Sequence, residues 1–337
     1  MKTSLFSLAA VALLVGACGG EQGFEQGDDD YGSDDEQLEG EERVDTQNDA
    51  LSSPGIKGGP PRRVLKGKRS IVCAGIQWQN MDKPAAGTAT CNNLSKKLAE
   101  FYHKNSRGLL TLVPVDGHVV EVPYNGSNAH LAAAEKMVTS TFNADYYVIP
   151  SIFTHPHSGG KISHVKSAQF ATATHEVGHL LGLGHAGQYH YSANGTPKLD
   201  AYGDHSSPMS DRLSGYLTPP QYYHLGWLPE DEVELFDPEV ESYTVKQISD
   251  FSTSGLATVM VPPVVKGGRW AFIGAKSCAQ GPAKTCVTLH LSNDGGSQKV
   301  AESNEEIVDE HFTGLHIKVL GFSGQRARIS VEQQPKP

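Results

Sequence analysis

Between residues 175 and 185 the chain reads His175-Glu176-Val177-Gly178-His179-Leu180-Leu181-Gly182-Leu183-Gly184-His185, three imidazoles and a carboxylate within eleven residues. Two histidines four apart on a helix share one face, with about 6 Å between their Cβ atoms, so both can reach one cation. Glu176, beside the first of them, is placed to reach a water at that cation rather than the cation itself. Gly182 allows the helix to stop and the chain to turn, because a residue without Cβ enters the left-handed region at little cost. The turn can bring His185 back as a third ligand. Three neutral imidazoles leave Zn²⁺ its full charge and an open fourth position, so the pattern describes one catalytic zinc ion with Glu176 as general base toward a zinc-activated water. In a chain with 15 His and 36 Gly, a bare His-Glu-x-x-His arises by chance about four times in a hundred such chains, and the full pattern about twice in ten thousand. The competing reading, a buried amphipathic helix with incidental histidines, would strand several imidazoles near an apolar face, which is costly.

The extended motif resembles the signature of the metzincin metallopeptidases, in which a methionine-containing turn follows beneath the metal. A candidate turn is Tyr202-Gly203-Asp204-His205-Ser206-Ser207-Pro208-Met209-Ser210. Together with Leu225-Gly226-Trp227 downstream, this wording is similar to the gametolysin-type branch and its bacterial relatives, over residues 68 to 235. The resemblance implies a zinc endopeptidase acting on an extended polypeptide, with His175, His179 and His185 as ligands, Glu176 as the base and Met209 as the structural methionine. Position 211, two after the methionine, is Asp. Astacin-like and serralysin-like relatives carry a zinc-ligating Tyr there, so no tyrosine ligand from this turn is expected. For an oxyanion-stabilising group, His157, His164, His190, His205 and Tyr216 are candidates by sequence proximity alone.

The elements that must hold this site follow an alternating pattern. Ile71 to Ile76 reads as a buried strand, and Leu94, Leu98, Phe101 and Tyr102 recur at helical spacing. Leu109 to Val113 and Val119 to Val122 are strand-like around the Asp116-Gly117 turn signal. Asn128 can cap a helix with Leu131, Ala134, Met137, Val138 and Phe142 on one stripe, and Tyr146 to Ile149 makes another strand. Ser167 is the expected cap of the zinc-motif helix, which should run to about Leu181. The family resemblance implies a twisted sheet backed by two helices, the second carrying the first two ligands, with a substrate-pairing edge near residues 150 to 170.

After Trp227 short β-rich runs dominate: 243–245, 257–261, 270–273, 287–291, 315–320 and 327–331. Such runs separated by Gly, Pro and Asp argue a small antiparallel sandwich. The fold class expected is therefore α+β, a metzincin-like catalytic domain with a twisted mixed sheet at 61–234 plus a C-terminal antiparallel β-sandwich domain at 235–337. The sandwich is read as packing against the catalytic domain rather than binding a polymer, because no aromatic cluster marks a sugar site.

Lys2, the apolar run Leu5 to Val15 and Gly16-Ala17-Cys18 read as a secretory signal over 1–17, too short to span a bilayer permanently. Small residues before Cys18 resemble a bacterial lipobox, which implies lipidation of Cys18 and a membrane anchor; an ordinary signal peptide cleaved near Ala17 is the rival reading. Within 18–60, residues 21–49 hold thirteen Asp and Glu against one Arg, a tether too polar to order itself. Residues 50–337 hold 25 acidic and 26 basic residues, so the chain's net charge of −10 belongs to the tether. Pro60-Pro61-Arg62-Arg63 and Lys66-Gly67-Lys68-Arg69 could be cut by a trypsin-like protease to release a soluble form, although a basic run before a strand is more often simply solvated. In an exported chain the remaining cysteines are expected in disulfides, Cys73 with Cys91 and Cys278 with Cys286, although spacing leaves three connectivities open.

No phosphate loop, Ser-His-Asp pattern or basic stripe for nucleic acid is present. A structural Ca²⁺ has no residues assigned to it, and a monomer is expected. The alternative to an exported endopeptidase is a surface lipoprotein that uses a peptidase scaffold for binding or adhesion, which would have no need of a general base beside zinc.

Overall fold

The structure is a computed structural model that describes residues 52–53, 59–82, 84–124, 129–151, 156–212, 215–264, 268–278 and 284–334. The signal, Cys18, nearly all of the tether and the Asn128 cap lie outside these residues. All described elements belong to one unit, Arg43–Pro337. The architecture is mixed α+β with several sheets and few helices.

The first half contributes β1 (Ser52–Ser53), β2 (Arg62–Arg63), β3 (Gly67–Cys73), β4 (Ile76–Trp78), α1 (Thr88–Asn105), β5 (Leu110–Val115), β6 (Val120–Val122), α2 (Ala129–Thr141), β7 (Tyr146–Pro150), β8 (His157–Gly159), β9 (Ile162–Val165) and α3 (Phe170–Leu180). Five strands form a sheet in the order β5-β3-β7-β9-β8, parallel except for β8, which is antiparallel at the edge. Strand alternation sends Ile71, Cys73, Tyr146 and Val148 to one face, against Leu94, Leu98 and Tyr102 of α1 and Val177 and Leu180 of α3. Val72, Tyr147 and Ile149 point the other way, against Ala134 and Val138 of α2. Covering both faces is what a mostly parallel sheet requires.

Two expectations are corrected here. The run from Ile71 to Ile76 is two strands in two sheets: β3 ends at Cys73, and β4 pairs with β6. The break falls at Gly75, where a Cβ would lie 2.0 Å from the Ala86 carbonyl oxygen, so the chain must bend where only glycine fits. The helix that carries His175 and His179 is also the third of the sheet's helices, because α2 takes the opposite face and leaves α1 to pack beside α3.

The chain continues through β10 (Ala186–Tyr191), β11 (Pro197–Asp200), α4 (Pro219–His224), a 3₁₀ turn (Glu230–Glu232), β12 (Val233–Leu235), β13 (Tyr243–Lys246), β14 (Thr258–Val261), β15 (Ala271–Ser277), β16 (Thr285–Asn293), β17 (Gly296–Ser303), β18 (Glu306–Asp309), β19 (Leu315–Ser323) and β20 (Arg326–Gln333). A four-stranded antiparallel sheet, β13-β20-β19-β18, faces a seven-stranded one, β11-β10-β17-β16-β15-β14-β12. Val259, Ile273, Val287 and Leu289 fill the space between the two with Val245, Ile317 and Ile329. The other side of the larger sheet, through Met260 and Phe272, joins the core of α1, α3 and α4. Residues on either side of position 234 thus share a sheet and a core, and β10, which starts one residue after His185, pairs in parallel with β17.

Buried ions tie these parts together. The Glu232 carboxylate accepts from Arg107 Nη1 at 2.7 Å and from Lys246 Nζ at 2.8 Å. Cys73 pairs with Cys91 (Cα–Cα 5.0 Å) and Cys278 with Cys286 (Cα–Cα 5.8 Å). Two disulfides suit an exported protein. No helix among the described residues is long and apolar enough to cross a membrane.

Candidate metal centre

Helix α3 begins later than its sequence suggests. Ser167 is not its cap; the N-cap is Gln169, which makes no side-chain capping bond. β9 runs to Val165, and residues 166–168 are used in the bend from sheet to helix. The helix is held instead by its buried face, Ala173, Val177, Gly178 and Leu180.

The C-terminal end follows the expectation. Gly182 adopts φ +91°, its N–H donates to His179 O at 2.8 Å, and Leu183 N–H donates to Gly178 O at 3.0 Å. Those two bonds form a Schellman motif. A Cβ on Gly182 would also lie 2.4 Å from Arg63 Nη1. The same turn serves the metal site, because Leu183 O accepts from His179 Nδ1 at 2.8 Å.

The three imidazoles come together, with ring centroids 4.8 Å (His175–His179), 5.3 Å (His175–His185) and 4.8 Å (His179–His185) apart. Their ligand nitrogens lie within 4.8 Å of one another, a group that could hold a metal ion. The hydrogen bonds test that reading. His175 Nδ1 faces Pro208 O at 3.2 Å and Ser210 O at 3.1 Å. Carbonyls only accept, so Nδ1 of His175 and of His179 each carry a proton, and in neutral rings both Nε2 atoms are bare. Those two Nε2 atoms are 3.1 Å apart. Two lone pairs at that distance repel unless a cation lies between them. Nitrogens about 2.0–2.1 Å from a tetrahedral zinc would be roughly 3.3 Å apart, close to the spacing seen. The donor set therefore fits zinc.

Burial, and then the neighbouring His179, lowers His175 to about 4 and His185 to about 3. Burial and Arg63 lower His224 to about 4. All three stay neutral in the fold, whereas an unfolded imidazole takes its proton near pH 6.5. Stability is then complete above pH 6.5 and falls as pH drops from there toward 4, by up to about 1.4 kcal/mol per pH unit for each group. We expect the urea midpoint of metal-free protein to decrease steadily between pH 6.5 and 4.5, and excess zinc to offset the loss at the upper end. A midpoint that is flat over this range would contradict the assignment.

Glu176 is buried, and its carboxylate Oε2 accepts a hydrogen bond from Ser158 Oγ on β8 at 2.8 Å. Tyr102, wholly buried beneath the helix, donates to Thr174 O at 2.6 Å. Burial, reinforced by the Glu176 charge, raises its phenol well above the usual value, so it remains a neutral donor.

Met209 is wholly buried against the ligand helix. A Cβ on Gly178 would lie 2.3 Å from Met209 Sδ and 3.1 Å from Cε, so this glycine is what admits the methionine. The turn's carbonyls do the positioning: Pro208 and Ser210 hold His175, and Met209 O accepts from Ala186 N–H at 2.9 Å, next to His185. Met209→Leu, close in volume, is therefore expected to cost under about 1.5 kcal/mol and to leave kcat near wild type. Gly178→Ala should lower the thermal midpoint clearly, and by less in a Met209→Ala background; equal losses in both backgrounds would refute the contact.

The other parts of the motif have structural partners. Gly226 (φ +69°) and Trp227 close α4 with a second Schellman motif, through bonds to Tyr223 O and Tyr222 O, and Trp227 Nε1 donates to Leu65 O at 2.8 Å. Asp204 is wholly buried, with His290 Nε2 at 3.0 Å and Lys299 Nζ at 3.1 Å.

Four of the five residues considered for the oxyanion have partners outside the three imidazoles. His164 is buried and pairs with Glu135 at 2.8 Å, and His157 stacks on it at 4.7 Å. His190 is exposed on β10, His205 pairs with Asp211 at 3.0 Å, and Tyr216 packs on Phe251 at 5.8 Å. The aromatic side chain beside the ligands is Tyr202, its ring 4.2 Å from His185 and 6.0 Å from His175, with 41 % of its surface exposed. No sequence signal separated it from the rest of the turn. The Pro60–Arg63 cleavage site is also corrected: Arg62 is buried, donates to Leu228 O and pairs with Glu230 at 2.6 Å. A cavity of about 390 Å³ lies elsewhere, lined by Ser206, Thr218, Lys276, Thr288, His290 and Lys299, and none of the three imidazoles borders it.

No family model matches the chain, and no curated protein matches it. Among solved structures, the chain is similar to the crystal structure of wild-type OgpA from Akkermansia muciniphila, at 13 % identity and a TM-score of 0.32, covering 74 % of this chain and 95 % of that one. A likeness of that size leaves the chemistry to be read from the site itself.

Proposed function

We propose that the protein is an exported zinc-dependent endopeptidase of the metzincin type, closest in wording to the gametolysin-like branch, that hydrolyses peptide bonds of extracellular or cell-surface proteins. The observation that carries this reading is the convergence of bare Nε2 atoms from tautomer-fixed histidines, with a buried carboxylate on the neighbouring residue. A binding module would have no use for that carboxylate. His175, His179 and His185 would hold the ion. When bound, zinc supplies Lewis acidity that makes water acidic near pH 7 and polarises a carbonyl.

The chain's own residues do the rest. Glu176 takes the proton of the attacking water and passes it to the leaving amine. Pro208, Ser210 and Leu183 keep two of the imidazoles in the tautomer that leaves Nε2 bare. The open edge of β8 offers backbone groups to an extended polypeptide, and pairing there fixes its direction. Cys18, if lipidated together with the amino terminus, would anchor a monomeric enzyme to a membrane, and the acidic tether would hold it off the surface.

The direct test is zinc-loaded full chain incubated with an unfolded protein. Zinc-dependent cleavage at internal bonds is expected. Complete inertness toward a broad set of unfolded proteins would transfer the weight to a binding or adhesive role.

A further inference from the structure

We propose that Ser158 is the positioning residue for Glu176, so that the edge strand on which substrate would dock also orients the general base. The inference rests on the peptidase reading above. Ser158 is the middle residue of the three-residue strand β8, and β8 is the terminal strand of the five-stranded sheet among the described residues. Its side chain points inward and is buried. Three oxygens surround its Oγ: Glu176 Oε2 at 2.8 Å, Glu176 O at 2.8 Å and Ser163 Oγ at 3.2 Å.

A serine hydroxyl has one proton and two lone pairs. Ser163, wholly buried directly across the β8–β9 pair, can donate to Ser158, which leaves the Ser158 proton for the carboxylate. One carboxylate oxygen is thereby committed to the sheet, and the rotation of a long, flexible side chain is restricted. The Glu176 carbonyl oxygen lies at the same 2.8 Å from Oγ and can only share that one proton in a bifurcated bond, so the hydroxyl faces a single residue of the helix. A reacting carboxylate misplaced by about 1 Å can lose roughly a hundredfold in rate, which makes a single such bond matter. Because β8 is only three residues long, a polypeptide pairing with its outer edge steadies the strand segment that carries the hydroxyl. Docking and base orientation are then one event.

The test compares Ser158→Ala, Ser158→Thr and Ser158→Cys in the full chain, each matched to wild type in zinc content and circular dichroism. Ser158→Ala should lower kcat about 10-fold to 100-fold with KM within about twofold. Thr, which keeps the hydroxyl, should recover most of the loss, and Cys, a poor donor of nearly the same size, should not. In a Glu176→Gln background, Ser158→Ala should add no further loss. A Ser158→Ala enzyme with wild-type kcat, or an undiminished further loss in the Glu176→Gln background, overturns the proposal.

A second measurement does not depend on turnover: the affinity of the zinc-loaded protein for acetohydroxamate, whose bound form shares a proton with a neighbouring carboxylate. Ser158→Ala and Glu176→Gln should each weaken it, and the double variant should be no weaker than Glu176→Gln. If wild type cleaves nothing but this pattern holds, the peptidase reading fails and the positioning role stands. Unchanged acetohydroxamate affinity in Ser158→Ala overturns the positioning role by itself.

Discussion

Glu176→Ala is expected to lower kcat/KM by about 10²- to 10⁴-fold while the protein keeps one zinc ion per chain. The two halves of this expectation come from different atoms. Metal retention depends on His175, His179 and His185 and on the carbonyls of Pro208, Ser210 and Leu183 that fix the first two rings, none of which the substitution touches. Turnover depends on a carboxylate able to take a proton from water and return it to an amine. Glu176→Ala also leaves Ser158 without its carboxylate partner, but Ser158 retains Glu176 O, now the alanine's carbonyl, as an acceptor at 2.8 Å. The fold should therefore tolerate the change, and thermal midpoints should differ by a few degrees at most. Zinc content by metal analysis, together with cleavage of an unfolded protein at equal loading, decides the matter. A Glu176→Ala enzyme as active as wild type would remove the general base from the scheme, and loss of zinc from the variant would move Glu176 into the ligand set.

How much of this was legible beforehand depends on whether the physics is local. The ligand pattern is: the spacing of His175 and His179 states a helix face, and Gly182 states its end, all inside eight residues. Ser158 is eighteen residues from Glu176, and only the antiparallel register of β8 on β9 brings it there. Strand β17 was missed for a related reason. Ser297, Gln298 and Lys299 form no apolar run, yet all three are buried, with Gln298 accepting from Tyr189 and Lys299 paired with Asp204. Hydropathy cannot report a strand whose buried amide and ammonium, Gln298 and Lys299, find partners about a hundred residues away. Ser167 failed as a cap because a short-range preference for serine lost to the geometry of turning from β9 into α3, and that helix draws its stability from packing. Tyr202 and Asp204 lay within a stretch recognised by its wording, which says that residues belong together without saying what any of them touches.

Asp204→Asn is expected to be the most destabilising single substitution considered, because its carboxylate is shared by a buried ammonium, Lys299, and a buried imidazole, His290. Removing one partner of a buried pair costs about 3–5 kcal/mol, since the remaining charge is left uncompensated. At about 2–4 °C per kcal/mol for a body of this size, the thermal midpoint should fall by roughly 10 °C. Here two partners are affected, His290 at 3.0 Å and Lys299 at 3.1 Å, although Glu302 at 3.4 Å remains for the lysine. The carboxyl itself reports the strength of the arrangement. Burial alone would raise its pKa, yet the bond and charge of His290, the charge of Lys299 and the Ser206 hydroxyl together hold it far below the usual carboxylate range. A folded value below the unfolded one, near 4, means that the contribution is present above pH 4 and is lost as pH falls below it. This window lies under that of the imidazoles, so Asp204→Asn should remove its own share of the acid destabilisation below pH 4, leaving that of other carboxylates held low such as Glu232, and leave the loss between 6.5 and 4 unchanged. Zinc binding should weaken as well. Asp204 N–H donates to Ala186 O, beside His185, and the same loop leads into the carbonyls that hold His175. Chemical unfolding of Asp204→Asn alone and with Lys299→Met distinguishes lost charge pairing from lost packing: the second substitution should restore part of the stability if an unpaired ammonium is the cost. Two simply additive losses would mean that Asp204 acts through the shape of its loop, and that the link between β17 and the metal turn is steric rather than ionic.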